Sequence, residues 1–113
     1  MHELSLAESV IQIIEHAAIT QKFERVRVVW LEVGRMAGVE KDALTFCFDA
    51  VSRNTVAQDA RLEIVDVPGL GTCSDCGGVH PVNALFDACP ACGSYAVQVT
   101  GGTVMRVKEL DVI

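Results

Sequence analysis

Two pairs of cysteines carry the clearest chemistry in the chain. Cys73-Ser74-Asp75-Cys76-Gly77-Gly78 and Cys89-Pro90-Ala91-Cys92-Gly93-Ser94 each contain a C-x-x-C turn, with residues 77–88 between the pairs. Such a turn points two thiolates at one ion. A glycine after the second cysteine permits a positive-φ turn that brings main-chain N–H groups to the sulfurs. Two knuckles supply four soft donors, the set that suits tetrahedral zinc with Zn–S bonds of about 2.3 Å. Four thiolates leave no open position on the metal. The pattern therefore predicts structural zinc at Cys73, Cys76, Cys89 and Cys92, with folding of this arm dependent on metal. The competing reading, two disulfides or a redox pair, belongs to an oxidising or catalytic setting.

Met1-His2-Glu3 is the second candidate. A chain terminus offers an α-amine with a pKa near ~8 that deprotonates to bind metal. The His2 backbone nitrogen and imidazole lie close enough to close adjacent chelate rings, and Glu3 adds a backbone nitrogen or a carboxylate. Nitrogen and oxygen donors in a tetragonal arrangement suit Ni(II) or Cu(II). Copper stands above nickel in the affinity order, so the donors alone do not name the metal. The plain alternative is an exposed terminal histidine without a function.

The elements that must position these groups follow from hydrophobic periodicity. Leu4, Ala7, Ile11, Ile14 and Ala18 recur at helical spacing, with Val10, Ile13 and Ala17 beside them. Residues 26–33, rich in β-branched side chains and ending at Gly34, read as a buried strand. Residues 41–53 read as a second helix with Leu44, Phe48 and Val51 on one face. Residues 61–67 and 103–110 alternate and read as two further strands. Strand, helix and strand in succession predict a right-handed crossover between parallel strands, and the last strand is expected antiparallel beside the second. The fold class is then α+β (α/β): a small mixed three-stranded sheet with two helices, plus an inserted four-cysteine zinc-ribbon arm. Residues 1–69 and 103–113 form the expected nickel-binding α/β domain, and 70–102 the zinc-binding domain.

Charge narrows the partners. The net charge is −6 with a pI of about 4.9, and both nucleic acid and anionic membranes reward clustered Lys and Arg instead. The arm is sharper still. Between Gly69 and Gly102 there is no Lys or Arg, while Asp75 and Asp87 are present. Thiolates around zinc add negative charge, and such a surface repels phosphates. Val79, Val82, Leu85, Phe86 and Tyr95 suggest contact with protein. No stretch approaches the roughly 20 apolar residues of a membrane span. The first residues lack a basic n-region, so a cytoplasmic location with reduced thiols is expected. No G-x-x-x-x-G-K loop and no serine–histidine–carboxylate constellation is present, so the chain is not read as an enzyme. Cys47 reads as a buried apolar thiol, His80 as a non-ligand neighbour of the knuckles, His16 as a surface residue and Trp30 as core.

The whole chain resembles the HypA/HybF family of hydrogenase nickel-incorporation proteins. The resemblance rests on Met1-His2-Glu3 with the following Leu4-Ser5-Leu6-Ala7. It continues through Val33-Gly34-Arg35, Phe46-Cys47-Phe48-Asp49, both knuckles, and the Gly-rich return into Val104-Met105-Arg106-Val107-Lys108. It implies nickel at His2 assisted by Met1 and Glu3, structural zinc at the four cysteines, and Glu40 as a possible further carboxylate. It also implies a GTPase nickel accessory protein and the [NiFe] hydrogenase large subunit precursor as partners, with urease served in some members. The resulting expectation is a nickel metallochaperone, monomer or weak homodimer. The alternative is a zinc-ribbon protein-protein adaptor without a second metal site.

Overall fold

The computed structural model describes residues 2–84 and 87–113. Met1 of the expected nickel site, and Leu85 and Phe86 of the arm's apolar set, lie outside the described residues. The elements in chain order are α1 (His2–Gln21), β1 (Val26–Gly34), α2 (Lys41–Ser52), β2 (Arg61–Val67), β3 (Gly69–Cys73), β4 (Val79–Val82), β5 (Val97–Gly101) and β6 (Met105–Val112).

The apolar spacing of the first segment becomes the buried stripe Ala7, Val10, Ile11, Ile14 and Ala18 of α1. Glu3 in its first turn complements the positive end of the helix dipole. Lys22, at φ 58°, takes the left-handed conformation that ends a helix. Helix α2 packs against α1 and buries Leu44, Cys47 and Phe48. Ile14 and Leu44 are almost wholly removed from water, a burial that contributes about 1.5–3 kcal/mol for each such side chain. Phe46, on the other side of α2, is exposed.

Strands β1, β2 and β6 form a three-stranded sheet in the order β2-β1-β6. The Arg35 amide, just past β1, donates to the Val67 carbonyl at the end of β2, so these two strands run parallel. The Gly34 amide at the end of β1 donates to the Val104 carbonyl just before β6, so β6 runs antiparallel. The sheet is mixed, as expected, but the last strand lies beside β1 and not beside β2. The reason is burial. Val26, Val28, Val29, Leu31 and Val33 of β1 are all buried, and a strand covered on both faces takes the central place. The Met105–Val112 segment, with Arg106, Lys108, Glu109 and Asp111 along it, suits an edge. Ion pairs Arg27–Asp111 at 2.8 Å and Arg106–Glu32 at 2.6 Å join residues of β1 and β6.

The arm has a sheet of its own, which the sequence pattern did not announce. Strands β3, β4 and β5 are antiparallel in the order β4-β3-β5, with Thr72 opposite both Val79 and Gln98. The Gly-, His- and Pro-containing sequences of β3 and β4 are poor strand formers, so main-chain pairing rather than side-chain preference defines those two. The first knuckle occupies the connection from β3 to β4, and the second precedes β5.

The chain divides into two compact units. One comprises Met1–Leu31, Val39–Ile64 and Val107–Ile113, the other Glu32–Gly38 and Val65–Arg106. Within the second unit the backbone returns at close quarters. A Cβ on Gly34 would overlap the Gly102 carbonyl, and one on Gly102 would overlap that of Pro68. Gly102 also sits at φ 72°, a conformation glycine adopts without cost.

Candidate metal centres

The two knuckles have the same backbone. In the first, the Cys73 amide donates to Gly78 O and the Gly77 amide to Cys73 O. In the second, the Cys89 amide donates to Ser94 O and the Gly93 amide to Cys89 O. Gly77 (φ 74°) and Gly93 (φ 77°) make the positive-φ turns expected of them. Each knuckle thus presents one buried and one exposed thiol, Cys73 with Cys76 and Cys89 with Cys92.

The knuckles face each other crosswise. Cys73 Sγ lies 3.6 Å from Cys92 Sγ, and Cys76 Sγ lies 3.8 Å from Cys89 Sγ. All four sulfurs fall within 4.8 Å of one another. A tetrahedron of about 2.3 Å metal–sulfur bonds has edges of about 3.8 Å, so the donor set fits a tetrahedral thiolate ion. The five cysteines, all within the described residues, are free. The geometry therefore favours a shared ion over paired disulfides.

Electrostatics makes the same point. The Cys89 thiol is lowered to about 6, chiefly by the Cys92 main-chain N–H, with Ala91 N–H and the Cys92 and Cys76 thiols adding to it. Cys92 is pushed up to about 12. The Ser94 N–H acts to lower it, but the Cys73 thiol, desolvation and the Cys89 and Cys76 sulfurs outweigh that donor. Cys76 is raised in the same way: the Gly78 N–H lowers it, while desolvation and the Cys73 and Cys89 sulfurs prevail. One negative charge settles readily at Cys89, and further ionisation works against it unless a cation compensates.

The N-terminal group is open by contrast. His2 begins α1 with its side chain 59% exposed, and its Nδ1 lies 3.7 Å from Glu3 Oε2. Glu3 Oε2 accepts from the Glu40 main-chain N–H at 3.2 Å. That bond is the first cause of a Glu3 carboxyl held below its ordinary value of 4.5, with the neighbouring His2 contributing. Glu40 Oε1 accepts from the Asp42 amide at 3.2 Å and so caps α2. The fold brings Glu3 and Glu40 together, although residues 4–39 separate them in sequence. What the sequence did not disclose is that Glu40 offers its main chain to Glu3 and commits its side chain to a helix cap.

Cys47 is buried among apolar neighbours. His16 is exposed on α1, and Trp30 is half-buried. His80 Nε2 lies 3.6 Å from Cys76 Sγ, beside a set already complete with four thiols. Two residues of the arm gained a structural role that no spacing rule signals: Asp75 and Ser94, one from each knuckle, are hydrogen-bonded.

Sequence comparison adds the lineage. The family described as hydrogenase/urease nickel incorporation, metallochaperone, HypA, matches residues 1–112. This chain belongs to the HypA family. A hydrogenase maturation factor HypA of Albidiferax ferrireducens is 56% identical over 112 residues, covering 99% of each chain. One of Azotobacter chroococcum is 52% identical with the same coverage. The solution structure of the Ni metallochaperone HypA from Helicobacter pylori is similar at a TM-score of 0.71 and 29% identity, over 98% of this chain and 97% of that one. A second HypA solution structure gives 0.74 at 30% identity, over 100% and 97%. Members of the HypA family are metallochaperones and maturation factors, not catalytic enzymes, and their work ties this chain to the machinery of hydrogenase maturation. Among the described residues, no helix is long and apolar enough to cross a membrane.

Proposed function

We propose that the chain binds Ni(II) as cargo at its N-terminus, through His2 with the Met1 amine and Glu3, and delivers it for maturation of [NiFe] hydrogenase. Cys73, Cys76, Cys89 and Cys92 hold structural zinc in the arm, and the α/β part, residues 1–69 with 103–113, carries the nickel site. The observation that carries this reading is the state of the His2–Glu3 pair: an exposed His2 at the start of α1 beside a half-buried Glu3 carboxylate held by the Glu40 amide. A carrier must bind its metal specifically and still let it go. An open terminal site exchanges ligands with an incoming partner, whereas a cage of buried ligands retains its ion.

Delivery requires two partners: a GTPase nickel accessory protein that exchanges the metal, and the hydrogenase large subunit precursor that receives it. These meet in the cytoplasm, where the thiols stay reduced. The second reading, a zinc-ribbon adaptor without nickel, draws on the exposed Val79 and Tyr95 of the cation-free arm. A nickel titration of zinc-loaded protein with a native, untagged N-terminus, beside His2→Ala, separates them. Specific nickel binding that vanishes in His2→Ala at unchanged zinc content supports delivery. Equal nickel binding by both proteins, or by neither, leaves the adaptor.

A further inference from the structure

The two knuckles share a backbone but not their side chains. Asp75 in the first corresponds to Ala91 in the second, and Ser94 in the second corresponds to Gly78 in the first. Asp75 Oδ2 accepts a hydrogen bond from Ser94 Oγ, across the metal site from one knuckle to the other. The symmetric pair, Ala91 and Gly78, has no polar side chain and makes no such bond. The Asp75–Ser94 contact is a single, one-sided tie.

It does not stand alone. Ser94 Oγ also accepts from the Ala96 amide at 3.0 Å. The Ala96 carbonyl in turn accepts from the Ser74 amide at 3.0 Å and from Ser74 Oγ at 3.2 Å. Residues 74 and 75 of the first knuckle are therefore laced to Ser94 at the end of the second and to Ala96 just beyond it. None of these groups is a thiol. The bonds from Ser74 anchor β3 to the approach to β5, where backbone pairing already runs. Among the described residues, the Asp75–Ser94 bond is the one side-chain hydrogen bond without a sulfur that joins the loops carrying the exposed thiols Cys76 and Cys92.

We propose that Asp75 and Ser94 form a clasp that sets how long the arm keeps its metal. Loss of a four-thiolate ion requires the knuckles to part, since each supplies two ligands. Knuckle separation must break the Asp75–Ser94 bond, while the Ala96 amide holds Ser94 Oγ in place on its own side. Both residues are positioning residues: they hold the ligands' loops together and do not touch the ion. The proposal rests on the assignment of zinc to the four cysteines. It goes beyond that assignment by naming what governs release.

The test uses the full chain, loaded with zinc or with Co(II), and challenged with excess chelator. Removing an outer partner of a metal site typically weakens it by about 10–100-fold, so Asp75→Ala and Ser94→Ala should each release metal about tenfold faster. The double variant should be no faster than Ser94→Ala alone, because that substitution already removes the Asp75 bond. Asp75→Asn keeps an acceptor for the Ser94 hydroxyl but loses the charge, and should release metal near the unsubstituted rate. The Co(II)–thiolate absorption of every variant should keep the intensity of four thiolates, which separates a clasp from a lost ligand. Unchanged release in Asp75→Ala, additive effects in the double variant, or Asp75→Asn behaving as Asp75→Ala would each overturn the clasp. Failure of the unsubstituted protein to give a four-thiolate Co(II) spectrum would instead overturn the zinc assignment beneath it.

Discussion

The four-cysteine cluster and the N-terminal pair are opposite kinds of donor set. In the cluster, four donors of one kind face each other at 3.6 and 3.8 Å, with two of them buried. The supporting amides come from rigid turns repeated in both knuckles. At the terminus, one imidazole stands largely in solvent and a single carboxylate tethers it to the start of another helix. A saturated site with a fixed frame favours retention, and an open site on a helix end favours exchange. One small chain accommodates both because each draws on a different device: main-chain turns for the arm, and a side-chain-to-amide contact for the terminus.

The largest break in this comparison is Cys89→Ser. The Cys89 thiol is lowered to about 6, so its loss removes a readily formed charge that attracts a cation. Arm metal affinity is expected to fall by more than about 100-fold, beyond the effect of an outer partner, with order in the arm lost alongside. Metal analysis and the dispersion of arm resonances read this directly. Helices α1 and α2 belong to one compact unit and the four knuckle cysteines to the other, so the proposed nickel binding at the terminus is expected to persist. Loss of both metals together would mean that the two sites are not separable.

Acid should separate them as well. Cys76 and Cys92 are both raised, Cys92 to about 12, so both carry protons at neutral pH in the metal-free arm. Metal uptake must displace both. Affinity then falls steeply as pH drops below neutrality, and binding releases protons measurable by calorimetry in two buffers. Glu3 behaves oppositely. Its carboxyl is depressed in the folded chain, so its tether to Glu40 is complete above its ordinary value of 4.5. The tether is lost only as pH falls through the lower folded value. The Glu40 amide resonance should accordingly hold its position between pH 7 and 5 while arm metal is lost. Movement of that amide in step with metal loss would show that the tether depends on the arm.

Much of this is legible in the sequence. The stripe of α1, the buried run of β1 and the two C-x-x-C-G knuckles are periodic or spaced features, and periodicity survives in sequence. The mixed character of the main sheet followed from element order. The place of its last strand did not, because pairing depends on which strand is buried on both faces. Strands β3 and β4 were invisible for a different reason: Gly69, Gly71, His80 and Pro81 carry no strand preference, whereas β5 holds the strand formers Val97, Val99 and Thr100 in a run of only five residues. The Glu3–Glu40 contact was hidden because it joins a side chain to a main-chain amide far away in sequence. No residue type marks such an amide. The Asp75–Ser94 tie likewise looks like two ordinary polar residues until the knuckles face each other.

The smallest expected effect concerns Glu40. Its Oε1 caps α2 through the Asp42 amide, while its own amide holds Glu3. Glu40→Ala removes the cap and keeps the amide. Loss of a capping side chain typically costs about 0.5–2 kcal/mol; a glutamate cap at 3.2 Å belongs at the low end, about 0.5–1 kcal/mol by thermal or denaturant unfolding. Nickel affinity should stay within a few-fold of the unsubstituted protein, since the tether to Glu3 survives. Loss of nickel binding in Glu40→Ala without greater loss of stability would make the Glu40 carboxylate a nickel ligand. The terminus would then close on its cargo by giving up a helix cap, and the contrast between an open and a saturated site would narrow to a difference in degree.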